Sequence, residues 1–441
     1  MADRRIVVVG AGIAGLTAAY FLKQAGYHPI VLEKSGRAGG RMTSDLVNGF
    51  TIDCGAQFLM DSYPILTELI ARNGLSKDFV PTSQYIGCVR DGTIRKINRN
   101  NILSLLSTGV VTVPGWLRFI SGSIPLMIKT RSLPMNDLTA WMKYEDGNTD
   151  TWSNSYFGRE VTDYIVEPIF GGLFFQPLSE LSNAFSLSIL STFLYRAVKN
   201  MTTLTGGIGE LPECLAAQLD MRLNTSALSM TIESAGVEVE TSAGPIIADR
   251  VILAAPATVS RVLYRPTGLI EENLLGTQYS SSVVIAIALK DTFHIEEHLQ
   301  DIYGAFVPKV ERNVLAAIKN EALKEKSRVA GGQLMECFIS GEAGKEMIDW
   351  VEEKILAAVF KELEKYFAGV SENTLFTKIY RWKEAIPLSP IGRGKNVAQY
   401  HANITGSTKV YLAGDYMGMP FTEGAAATGK WAAEAMIKNL A

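Results

Sequence analysis

A chain of 441 residues, 47% apolar and 20% charged, has material for roughly two to three packed units and is not the composition of a disordered polymer. Its 42 basic and 45 acidic side chains leave a net charge of −3, which excludes a global electrostatic pull on nucleic acid. Four scattered cysteines (Cys54, Cys88, Cys214, Cys337) with no CxxC pair, and only four histidines, lead us to expect reduced thiols, a cytoplasmic setting and no metal centre.

The first strand and glycine turn begin so early that no signal peptide is expected, and no apolar run reaches the roughly 18 residues of a spanning helix. Residues 5–9 are a β-branched run entering Gly10-Ala-Gly-Ile-Ala-Gly15. Residues 16–25 follow with Ala18, Ala19, Phe21 and Leu22 at helical spacing, Gly26 closes that helix, and 29–32 is a second strand ending at Glu33. The three glycines act differently. Gly10 allows the tight turn, Gly12 lets the backbone approach a pyrophosphate, and Gly15 lets the helix pack on the sheet. The helix N-terminus offers free N–H groups to phosphates. Glu33 is placed to accept ribose hydroxyls and to repel a 2′-phosphate. The next loop, Gly36-Arg-Ala-Gly-Gly-Arg41, adds backbone donors and guanidinium groups for the same pyrophosphate.

An insertion over 83–200 opens with a hairpin at Asp91-Gly92 and continues mainly helical. Its most apolar stretch, 102–128, is interrupted by Pro114, Arg118 and Pro125. Buried helices are the expectation there, with a peripheral membrane contact as the alternative. Residues 231–248 alternate as strands, and 249–254 is a further nucleotide-domain strand. The second insertion, 268–378, begins with the strand Ser282–Leu289 and contains an amphipathic helix over 346–367. Residues 409–412 lead into Ala413-Gly414-Asp415 and a final helix from Thr422. Similar strands hundreds of residues apart point to one α/β sheet assembled from separated segments.

The glycine turn with its acid and the basic loop together resemble the FAD-binding signature of the amine oxidase, protoporphyrinogen oxidase and phytoene desaturase superfamily. Asp53-Cys-Gly-Ala-Gln-Phe58 looks like its flavin-proximal turn. Val251-Ile-Leu-Ala-Ala-Pro256 is similar to a nucleotide-domain strand, and Val410-Tyr-Leu-Ala-Gly-Asp415 with Phe421-Thr-Glu-Gly-Ala-Ala426 is similar to its ribityl and flavin-edge segment. The resemblance implies a Rossmann-type FAD-binding domain from 1–82, 200–267 and 379–441. It also implies an α+β substrate-binding domain from 83–199 and 268–378, with a mixed or antiparallel sheet and a largely helical 83–199 insertion. Implied contacts to non-covalent FAD are Gly10, Gly12, Ile13, Ala14, Gly15, Glu33, Lys34, Arg37, Gly40, Arg41, Gly55, Ala56, Gln57, Ala227, Trp382, Gly414, Asp415, Thr422 and Ala425.

Within the superfamily, 165–182, 204–212 and 382–392 resemble segments of protoporphyrinogen oxidases. The expected pocket is Gly172, Leu173, Phe175, Gly207 and Leu388 from these segments, with Met419 and Phe421 from the segment before the final helix. Amine oxidases usually carry a lysine in the strand matching Ser282–Leu289, where this chain has Val284 or, after a one-residue slip, Ile285. Their paired aromatic rings correspond to Leu388 and Phe421, so at most one ring remains. Arg95, Lys96 and Arg99 are the cations placed to meet acid groups of a substrate, with a solvated basic turn as the plainer expectation. Glu167 and Glu423 are the possible acids or bases, each also suited to local hydrogen bonding. The implied activity is hydride transfer from a hydrophobic or heterocyclic small molecule to flavin N5, with O2 or another acceptor completing the cycle. A flavin amine oxidase, a carotenoid-type desaturase or isomerase, and a non-catalytic flavin-binding protein are the alternatives, and the oligomeric state is open.

Overall fold

The computed structural model describes residues 4–101, 106–195, 201–323 and 332–440. The apolar stretch 102–128 thus has its first four residues outside the described ones. A five-stranded parallel sheet has the order Asp220–Arg222, Ile30–Leu32, Ile6–Val9, Arg250–Leu253, Val410–Leu412. Ile6–Val9 is wholly buried, as an inner parallel strand covered on both faces must be, and pairs in register from Ile6–Arg250 to Val9–Leu253.

The helices Ile13–Gln24 and Thr422–Leu440 pack against each other beside this sheet, and their approach depends on a missing side chain. A Cβ at Gly429 would stand 2.1 Å from the Ala14 carbonyl oxygen, so the crossing admits only glycine.

A seven-stranded sheet runs Thr374–Trp382, Ser282–Leu289, Gln333–Ile339, Leu315–Asn320, Ile302–Phe306, Tyr85–Arg90, Thr93–Asn98. It is antiparallel except where Ile302–Phe306 meets Tyr85–Arg90. The hairpin between its last two strands turns at Asp91 (φ 52°) and Gly92 (φ 70°), the left-handed pair a two-residue turn requires. Ser282–Leu289 is buried at every position, consistent with its unbroken apolar run.

The insertion between these sheets is helical. Its longest helix, Val113–Thr130, is capped by Thr112, which accepts from the Gly115 N–H at 3.3 Å, and carries Pro114 in its first turn. Pro125 lies inside this helix without ending it. The expected single helix over 346–367 is instead two, Gly341–Met347 and Glu352–Leu363, because Val351 is extended (ψ 151°) and starts the second. No glycine or proline marks that break in the sequence.

His401 ends the helix Arg393–Asn403 stacked on Trp431, with ring centroids 3.7 Å apart and its Nε2 buried without a partner among the described residues. Burial pulls its pKa down from 6.5 to about 4, Asp137 only partly opposing. Its neutral form is therefore the folded-state form. The associated stability is complete above pH 6.5 and lost as pH falls through 4, amounting to about 3 kcal/mol at most. Urea unfolding at pH 7 and pH 4.5 tests this: His401→Phe, which keeps the stack, should lose less stability on acidification than the parent chain. An identical loss in both proteins assigns the acid sensitivity elsewhere.

Candidate active site

One cavity of about 1900 Å³ joins the two sheets. That is roughly twice the upper range of ordinary small-molecule pockets, enough for a dinucleotide and a second molecule. The turn after Ile6–Val9 forms one end. Gly10 has φ +102° and a Cβ there would meet the Ala254 oxygen at 3.0 Å, while a Cβ at Gly15 would lie 1.9 Å from the Gly10 oxygen. Gly15 accordingly packs helix on strand and does not line the cavity. Gly12 differs: a Cβ there meets nothing within 4 Å, so the space beside it belongs to the cavity. The helix that follows has no side-chain cap and no acid in its first turn, leaving its N–H groups available to an anion.

Glu33 is fixed by the Ala11 N–H on one oxygen and by the Ser35 N–H and hydroxyl on the other, all at 2.9 Å. The basic loop folds over the glycine turn through the Gly39 N–H to the Ala11 oxygen at 2.8 Å. Arg41 then reaches Asp415 at 2.7 Å and the Ala385 oxygen at 2.9 Å. Burial lowers the Arg41 pKa, but Asp415 and Tyr279 more than offset it, and the guanidinium stays charged. Arg37 pairs with Asp45. The turn 53–57 is tied to the same place by the Ala56 N–H to the Arg41 oxygen (2.9 Å) and the Trp382 Nε1–H to the Cys54 oxygen (2.8 Å).

Of the sequence-derived cofactor residues, Gly10, Gly12, Ile13, Ala14, Glu33, Lys34, Arg37, Gly40, Arg41, Gly55, Ala56, Gln57, Ala227, Trp382, Gly414, Asp415, Thr422 and Ala425 all line this one cavity. Of the pocket residues, Gly172, Leu173, Phe175 and Phe421 line it, and Phe421 stacks on Tyr63 at 5.6 Å. Three do not, and correct the expectation from sequence. Gly207 (φ +95°) packs on Ser44 and Asp53, where a Cβ would stand 2.3 Å from the Ser44 hydroxyl. Met419 is wholly buried in the core. Leu388 is held away from the cavity by its N–H to the Gln278 oxygen (2.8 Å) and its oxygen to Arg393 (2.8 Å). Of the two residues expected at the amine-oxidase lysine position, Val284 lines the cavity and Ile285 belongs to the core behind the sheet.

Neither expected acid or base lines the cavity. Glu423 accepts the Ile65 and Leu66 N–H groups (3.0 and 2.9 Å) that open the helix Pro64–Arg72, and burial raises its pKa to about 7. Glu167 binds Arg312 at 2.9 Å and the Lys309 N–H at 2.8 Å. The three basic residues after the hairpin divide. Lys96 pairs with Asp301 near the surface and Arg95 does not line the cavity, whereas Arg99 does. Arg99 binds the Thr82 hydroxyl at 3.2 Å, and its Nε and Nη1 are buried with no partner among the described residues. Residues not singled out from the sequence complete the wall: Trp116, Phe119, Phe306 and Phe338 give it an apolar surface, and Lys319 a buried cation.

The chain shares its fold with cyclohexylamine oxidase from Brevibacterium oxydans IH-35A, aligning over 99% of this chain and 99% of that one at 18% identity and TM-score 0.78. Residues 13–437 match the family described as flavin containing amine oxidoreductase, and the chain belongs to that family. It is similar to protoporphyrinogen oxidase 2, chloroplastic/mitochondrial, of Arabidopsis thaliana, with 24% identity over 88% of this chain and 85% of the relative. It is also similar to coproporphyrinogen III oxidase of Mycobacterium leprae (strain TN), with 23% identity over 95% and 94%. The protein is an FAD-dependent oxidoreductase of this family.

The open space at Gly12 gives a test that separates cofactor binding from folding. Gly12→Ala should unfold at the parent's temperature without cofactor, yet lose roughly tenfold or more in FAD affinity by fluorescence titration, about 1.4 kcal/mol. Unchanged affinity removes the pyrophosphate from this turn.

Proposed function

We propose that the chain holds FAD non-covalently along Glu33, Gly12, Arg41 and Asp415 and oxidises a hydrophobic or heterocyclic molecule bearing an acid group, removing hydride from a CH–CH or CH–NH unit. Bound FAD supplies the hydride acceptor. Non-covalent attachment is supported by a described cavity wall without cysteine or histidine nucleophiles. The protein residues position the substrate and exclude water: Gly172, Leu173, Phe175, Val284, Phe306 and Phe338 form an apolar chamber. In such a chamber the reacting C–H bond is set by shape, and rate comes from orientation near the ring.

The observation that carries the substrate reading is Arg99. Burial keeps its guanidinium below its ordinary pKa, with Tyr303 and Asp61 partly offsetting, and two of its nitrogens face no described partner. Arg99 lines the chamber, and a ligand carboxylate at that end can pair with the part of its guanidinium that faces the cavity. The relatives named for protoporphyrinogen and coproporphyrinogen oxidation support a bulky acid-bearing substrate of this kind.

Anaerobic mixing tests the reading directly. Hydrophobic cyclic compounds with carboxylates should bleach the flavin band, and their neutral esters should need roughly tenfold higher concentration or more. Arg99→Met should erase that difference, a change of about 1.5 kcal/mol or more. Equal bleaching by acid and ester dismisses the Arg99 contact; anaerobic bleaching only with simple amines, followed by peroxide when air is readmitted, assigns the chain to amine oxidation.

The chamber wall also supports a lipid-facing role for Val113–Thr130. No described helix is long and apolar enough to cross a membrane. Trp116 and Phe119 of this helix line the chamber, while Val113, Leu117, Ile124 and Ile128 on its other face are 50–65% exposed. Arg118 and Lys129 flank that stripe, and no acidic residue occurs between Asp91 and Asp137. Such a face suits an anionic lipid surface. The protein should sediment with anionic vesicles, and Leu117→Ser with Ile124→Ser should release it; a protein that never sediments with them rules the role out.

A further inference from the structure

Lys319 reaches from an inner strand of the seven-stranded sheet to the turn 53–57 by a direct polar contact, as Trp382 does from the edge strand. On one face of that sheet, Val284, Phe338 and Ala317 sit opposite one another as part of the cavity wall. Two residues along each strand, the same face carries Ala286, Glu336 and Lys319 in register. Lys319 Nζ lies 2.5 Å from Glu321 and 3.7 Å from Glu336, with the Tyr303 ring centroid at 5.2 Å. From there the ammonium donates to Gln57 Oε1. The Gln57 amide in turn donates to the Asp53 oxygen at 2.8 Å and the Gly55 oxygen at 3.2 Å, closing the turn on itself. Gly55 is held against Arg41, where its Cβ position is 2.5 Å from the Arg41 oxygen, and Arg41 pairs with Asp415. A continuous set of contacts thus runs from the sheet through Gln57 and the turn 53–57 to Arg41 and Asp415.

Resting on the FAD reading above, we propose that Lys319 is a positioning residue for the redox end of the cofactor: through Gln57 it sets the turn 53–57, and its ammonium offsets the carboxylates of Glu321, Glu336 and Asp53, whose negative charge would otherwise oppose reduction of the ring. Such a charge in a dry site is worth much more than in water. The ammonium is suited to this because it stays protonated: burial lowers its pKa, but Glu321, Glu336 and Asp53 more than offset that. Glu321 and Glu336 hold Lys319 by ion pairs without lining the cavity themselves.

Sulfite titration of the FAD-loaded protein reports positive charge near the ring without any substrate, because the sulfite adduct adds negative charge to the flavin. Lys319→Met should retain FAD but bind sulfite roughly tenfold more weakly or worse and shift the visible flavin bands. Lys319→Arg should fall within about threefold of the parent. Gln57→Leu, which leaves the pairs with Glu321 and Glu336 intact, should weaken sulfite binding as well, and the double variant should not add the two losses. Parent-like sulfite binding by Lys319→Met, or by Gln57→Leu while Lys319→Met is weakened, overturns the proposal. If Lys319→Met does not fold, Gln57→Leu decides alone: weaker sulfite binding supports the role and unchanged binding overturns it. A parent protein that takes up no FAD fails the cofactor reading first, before any variant is compared.

Discussion

The parallel ladder between Ile6–Val9 and Arg250–Leu253 brings together segments 244 residues apart, and the cavity exists only because that ladder forms. Once Val9 and Leu253 are paired, the Gly10 turn lies against Ala254. The next strand, Val410–Leu412, then delivers Gly414 and Asp415 to the same edge. Ligands of parallel α/β sheets bind outside the carboxyl ends of the strands for this reason. Loop-closure entropy makes such long-range pairing expensive to nucleate, and the wholly buried apolar strands provide the compensating burial.

Electrostatics then divide the cavity by function. Near the glycine turn, a helix N-terminus, Arg37 and Arg41 line the cavity together with the carboxylates of Glu33 and Asp415. In the chamber the wall is apolar, and its charges are few and held: Lys319 by a cluster of carboxylates, Arg99 by Thr82 alone among the described residues. Low dielectric raises the consequence of each such charge, so a chamber with two placed cations is selective by exclusion as much as by attraction.

The sequence was most informative where function is local. A strand, three glycines, a helix and Glu33 lie within 28 residues, and their roles follow from backbone geometry that glycine alone allows. The α/β class and the superfamily were legible for the same reason. Lys319 was not, because its surroundings come from pairing with Glu336 and from contact with Gln57, 262 residues away. Leu388 and Met419 were misplaced because alignment to a motif fixes neighbourhood but not which way a side chain turns on an irregular segment. The break at Val351 escaped because an extended residue without glycine or proline interrupts no helical periodicity. Arg99 was separable from Arg95 and Lys96 only after the strand Thr93–Asn98 had fixed which of them ends beyond the sheet.

The shared cradle can be weighed by a single stoichiometry. Saturating the protein with FAD, removing the excess and precipitating with acid should release one equivalent of intact FAD per chain into a yellow supernatant. A colourless protein that takes up no FAD, or flavin that stays with the precipitate, contradicts a non-covalent site built from Gly12, Glu33 and Asp415.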